Sequence, residues 1–103
     1  MHTSSRLLLA ALIHTAAVQG ALAQDLANGR RLSERWCAAC HVVGPTARRP
    51  GHALPFAAIA AKPSVSEDMI AAFLLLPHAT MPNPPLSRSD ARDIAAFIMG
   101  MRK

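Results

Sequence analysis

Two cysteines, six acidic residues, four aromatics and no tyrosine are all that this 103-residue chain carries of those residue types. Each scarcity excludes something. With only two cysteines there is no disulfide framework, and no four-cysteine zinc site can be built. With one Trp, three Phe and no Tyr, base-stacking recognition of nucleic acid has little to work with. The arginines are scattered, so Arg30-Arg31-Arg35 and Arg48-Arg49 read as solvated faces. No strand-length alternation of apolar and polar residues appears, which removes the βαβ setting of a thioredoxin-like dithiol. No apolar run reaches the roughly 20 residues that a bilayer-spanning helix needs.

The longest apolar stretch, Leu7 to Val18, is interrupted by His14 and Thr15 and preceded by a lone charge, Arg6. Ala21-Leu22-Ala23 then supplies the small-x-small pattern of a secretory cleavage site. The expectation is a signal peptide over 1–23, cut before Gln24, and one exported, periplasmic domain over 24–103, with an uncleaved anchor as the alternative. Removing Arg6 leaves ten basic against six acidic side chains, a mature charge of +4. Such a surface suits acidic partner proteins or anionic membrane surfaces. A domain this small buries a limited fraction of its surface and ordinarily needs a staple.

Cys37-Ala38-Ala39-Cys40-His41 supplies that staple. C-x-x-C-H is the attachment signature of c-type haem: two thiols on one turn of backbone can each add to a vinyl group of one porphyrin. The adjacent histidine lies beneath the iron as an axial ligand. A metal-free dithiol, half a zinc site and buried structural cysteines are the competing readings: the first lacks its βαβ setting, the second lacks two more ligands at close spacing, and the third leaves the histidine unexplained.

The remainder reads as all-α. A first helix runs from the N-cap Asp25 into Cys37, with Leu26, Gly29, Leu32 or Ser33, and Trp36 at helical spacing. Residues 42–55 form a Gly/Pro-rich loop, and a short helix from Pro55-Phe56 to Ala61 stops at Lys62-Pro63. Ser64-Val65-Ser66-Glu67 has capping-box spacing and opens a helix presenting Ile70, Phe73 and Leu74 before Pro77 ends it. The last helix starts at Ser87 or Ser89, with Asp90 in its first turn. Its stripe is Ile94, Phe97, Ile98 and Met101, and Arg102 and Lys103 suit the negative end of its dipole.

Candidates for the second axial position are Met69, Met81, Met99, Met101, His52 and His78. Met69 and Met101 fall on or beside apolar helix faces as core filler, and Met99 lies off the stripe. Met81 stands in the proline-bounded loop His78-Ala79-Thr80-Met81-Pro82, where no helical packing explains it. Met81 is therefore the expected distal ligand, and His78 is the competitor that would give a lower-potential bis-histidine site.

Taken together, Gly29, the Cys37–His41 motif, Met81-Pro82, Ile94 and Phe97 resemble a class I cytochrome c of the small bacterial, mono-haem type, over essentially all of 24–103. The resemblance implies one covalent haem c, His41/Met81 ligation and one-electron transfer. It also implies N- and C-terminal helices crossing near right angles around the haem, with the glycine of the first against the aromatic of the last. Many members carry an aromatic four residues before the first cysteine, where this chain has Ser33, so Trp36 or Leu32 would have to compensate. A proline carbonyl often accepts the proximal imidazole N–H, for which Pro55 is preferred over Pro45. Arg48 or Arg49 would pair with a haem propionate or stay in solvent. The alternative functions are a haem protein with an open distal site for small ligands, and a haem subunit docked on a larger dehydrogenase or oxidase.

Overall fold

The computed structural model describes residues 24–44, 52–77 and 80–103. The proposed signal peptide, Pro45, Arg48, Arg49 and His78 lie outside the described residues. Among the described residues there are four helices and no strand: α1 (Leu26–Trp36), α2 (Phe56–Ala61), α3 (Glu67–Leu75) and α4 (Arg88–Met99). None is long and apolar enough to cross a membrane.

Three of the four described helices begin at a side-chain cap, and α2 begins at Pro55. Asp25 caps α1 by accepting the Asn28 N–H at 2.9 Å. The stop of α2 at Lys62 follows from Pro63, which pushes the residue before it into extended backbone. The start of α3 differs from the capping box expected at Ser64. Val65 N–H bonds to Lys62 O in a turn, so Ser66 becomes the cap and accepts the Met69 N–H at 3.2 Å. Glu67 and Asp68 then occupy the first turn, where the helix dipole favours anions.

For α4 the choice between two serines falls to Ser87. Its hydroxyl accepts the Asp90 N–H at 3.0 Å, while the Asp90 carboxylate accepts the Ser87 N–H at 3.1 Å. That backbone bond, aided by Asn28, holds the Asp90 carboxyl below its ordinary value of 3.8. The Asp90 contribution is thus present above that value and fades as pH falls through the lower folded-state value. Ser87→Ala should lower stability by about 1 kcal/mol in urea unfolding of the holo-protein.

The core consists of Leu32, Phe56, Ala60, Ile70, Leu74, Ala91, Ile94, Ala95 and Ile98. Helix α4 is its spine, packing against α1, α3 and α2. The contact with α1 is made at Gly29. A Cβ built there would collide with the Asp93 carbonyl oxygen and lie 3.0 Å from Phe97 Cβ. Close approach is therefore why glycine stands within this helix. Beside it Ser33 is fully buried, its hydroxyl donating to Gly29 O at 2.7 Å. Of the two residues that could compensate for Ser33, Leu32 is buried in the core, whereas Trp36 stays 40% exposed. Leu32, not Trp36, is thus the one that packs into the core beside Ser33.

The contact is reinforced by polar groups. The buried Asp93 carboxylate accepts the Asp25 N–H and the Asn28 side-chain amide, both at 2.8 Å. The C-terminal arginine departs from its expected place. Arg102 does not serve the end of α4 but reaches the carbonyls of Ala60, Lys62 and Val65.

Candidate functional site

Helix α1 delivers the cysteine motif. Ser33 O accepts the N–H groups of both Cys37 and Ala38 as the helix ends. Cys37 O then accepts the N–H of Cys40 at 3.1 Å and of His41 at 2.8 Å. These bonds wind Cys37, Cys40 and His41 into a single turn at the end of a packed helix. Burial pushes the Cys37 thiol up to about 11, while Cys40 is exposed.

A second segment is strapped to this turn. Ala53 N–H donates to Cys40 O and Phe56 N–H to Val42 O, each at 3.0 Å. That alignment brings the Leu54 carbonyl to 2.6 Å from His41 Nδ1, which donates to it. The Pro55 carbonyl is not the acceptor. It takes the Ile59 N–H at 3.1 Å as the first turn of α2. The choice rests on backbone direction, since entry into a helix turns the Pro55 carbonyl along the helix axis and leaves the preceding one facing the imidazole. With Nδ1 so engaged, Nε2 is the ring nitrogen left for a metal. The Phe56 ring lies 5.4 Å from the imidazole centroid and 6.4 Å from that of Phe97, which fixes the proximal wall.

The turn opens on a cavity of about 470 Å³, within the range of cofactor pockets. Cys37, Cys40 and His41 form one wall together with Trp36 and Phe56. Helix α3 contributes Met69, Ile70, Phe73 and Leu74, helix α4 contributes Ile98, and Met81 through Pro85 line the remainder. Apolar walls carrying two thiols and an imidazole fit a porphyrin bound at both vinyl positions. Among the described residues no group of three or more His, Cys, Asp and Glu could hold a metal ion, which leaves no such cluster for a structural zinc site.

The axial candidates differ in where they lie, and Met81 and Met69 both reach the cavity. Met81 is half-buried, packs against the core and lines the cavity among Pro82, Pro84 and Pro85. Met99 and Met101 pack against the core away from the cavity, and His52 is exposed and lines none of it. Met69 departs from its expected role as core filler, because it is 55% exposed and lines the cavity. Phe73, expected on one side of α3 with Ile70 and Leu74, lines the same cavity as both and is 50% exposed. Periodicity showed that these residues share a face, but not that the face borders a cavity. The Leu54 carbonyl left no sequence signal either, since a backbone acceptor is independent of its side chain.

The basic residues of α1 are largely on exposed surface. Arg30 pairs with Glu34 at 3.0 Å, and Arg31 donates to the Asn28 side chain. Arg35 lies over the ring of Trp36, 4.8 Å from its centroid, and Trp36 itself lines the cavity.

The chain is 42% identical to a cytochrome c-552 of Bradyrhizobium diazoefficiens over 103 residues, covering 99% of each sequence. It is 36% identical to a cytochrome c6 of Synechocystis over 81 residues, 77% of this chain and 68% of that one. No protein-family model matches the chain, and no solved structure does.

Proposed function

The chain belongs to the class I mono-haem cytochromes c, and from that membership we propose that it is a periplasmic carrier of single electrons with His41 and Met81 as the axial pair. Members of this family are electron carriers with one covalent haem c, not enzymes. Cys37 and Cys40 fit the attachment. When bound, the haem supplies a ferric/ferrous couple.

The remaining work falls to the chain. The Leu54 carbonyl orients the His41 ring and raises its basicity through the Nδ1–H bond. The proline-flanked segment at 82–85 limits the movement of Met81. Apolar groups from α3 and α4 exclude water, which favours the less charged, reduced state of the site. A thioether opposite an imidazole raises the potential relative to two imidazoles. The observation that carries the reading is that the Cys37–His41 turn and Met81 line one apolar cavity.

Cleavage before Gln24 and export are part of the same proposal, supported by the apolar stretch and the Ala21-Leu22-Ala23 pattern. The mature charge of +4 supports steering towards partners with acidic surfaces.

Absorption spectra of the exported protein, oxidised and reduced, with and without CO, test the reading. Low-spin spectra, a thioether-to-iron charge-transfer band and no CO response are expected. A high-spin or readily CO-binding protein would instead mean an open distal site and a ligand-binding role.

A further inference from the structure

We propose that Arg102, near the end of the chain, is a positioning residue for the His41 imidazole and acts through α2. The inference rests on the reading of His41 as an iron ligand.

The guanidinium of Arg102 donates from Nε to Ala60 O at 2.6 Å and from Nη2 to Lys62 O at 2.8 Å and Val65 O at 2.7 Å. Ala60 and Lys62 belong to the last turn and C-cap of α2, where carbonyls lack partners within the helix. A cation there also meets the negative end of the helix dipole. Val65 immediately precedes Ser66, the cap of α3. One planar fork therefore ties the end of the chain to both the exit of α2 and the entry of α3. Charge-assisted bonds of this kind are about twice as strong as neutral ones.

Helix α2 has six residues, too few to hold its shape without tertiary support. Its opposite end is the proximal wall of the cavity. Leu54 O accepts His41 Nδ1–H, and Phe56 packs 5.4 Å from the imidazole. Ile59, which precedes the clamped Ala60 carbonyl, and Val65, whose own carbonyl is clamped, also line the cavity. Releasing the C-terminal end of α2 thus lets its N-terminal end move, and the Leu54–His41 bond loosens with it. The positive charge of Arg102 does not complete the last helix, as it would at an ordinary helix end. It holds a segment about forty residues earlier that orients the metal-binding ring.

The test is NMR hydrogen exchange on the reduced holo-protein, comparing the His41 Nδ1–H with the amide of Leu32 in the α1–α4 pair. Haem-shifted His41 ring signals in the unaltered protein establish the ligation first. Unshifted signals would overturn that reading and this inference with it. In Arg102→Ala the His41 ring proton should exchange faster by about tenfold or more, the opening expected when a charge-assisted bond is lost. Exchange at Leu32 should change far less. Arg102→Lys, whose single ammonium cannot span three carbonyls, should fall between the two. It carries the test should Arg102→Ala fail to accumulate. Lys103→Ala, which removes a neighbouring charge, should leave the ring proton unchanged. Shifted signals with unaltered exchange in the Arg102 variants would overturn the inference alone. So would a uniform rise at His41 and Leu32, because Arg102 would then serve general stability.

Discussion

Gly29→Ala should destabilise the holo-protein by about 3 kcal/mol or more, towards the upper end for overpacking. Two effects oppose each other. In a free helix alanine is favoured over glycine by about 1 kcal/mol. Here the added methyl would overlap the Asp93 carbonyl oxygen and press on Phe97 Cβ. The obstruction on the first side is backbone, which has no rotamer to escape into, so α1 and α4 must separate. Separation also pulls Asp25 N–H and the Asn28 amide off the buried Asp93 carboxylate, leaving it unpaired. Packing and polar losses together therefore outweigh propensity. Urea unfolding checks this, with Gly44→Ala as the control, since a Cβ at Gly44 meets nothing within 4 Å. A Gly29→Ala protein as stable as the original would mean that the two helices do not meet at this residue.

The second large effect is expected at Met81. Met81→Ala should abolish the thioether-to-iron charge-transfer band and admit CO to the reduced protein. It should lower the midpoint potential by on the order of 0.1–0.2 V, a modest part of the roughly 0.8 V range set by axial ligands. The methyl of alanine reaches no metal, and the prolines around position 81 keep the loop from bringing another side chain inwards. Met69 makes the experiment decisive, because it is a second thioether on the same cavity. It stands in the first turn of α3, with its backbone fixed by the Ser66 cap, and is over half exposed. Met69→Ala should leave the band, the CO response and the potential essentially unaltered. Reversal of the two results would transfer the distal role to Met69.

Helix content was readable because caps and breakers are local. Asp25 and the prolines at 63 and 77 bound helices through interactions within a few residues. The capping box forms at Ser87 as its spacing allows, whereas the same spacing at Ser64 is overridden by a turn closing on Lys62. A spacing rule identifies compatible positions, and the preceding backbone decides which one is used.

The cofactor chemistry was equally local. Cys37, Cys40 and His41 lie within five residues, so their order alone points to one covalent haem c, and relatives with cytochrome c names agree. Tertiary structure decided what depends on distant backbone. It chose Leu54 O over Pro55 O for the imidazole, because strapping to Cys40 and Val42 sets the direction of that strand of chain. It turned Met69 towards a cavity rather than the core, and set the shared face of Ile70, Phe73 and Leu74 along that cavity. It carried Arg102 away from its own helix to the carbonyls of another. Side-chain identity encodes what can react and where a helix can start, while the direction of a carbonyl or the reach of a guanidinium exists only once segments far apart in the chain are packed together.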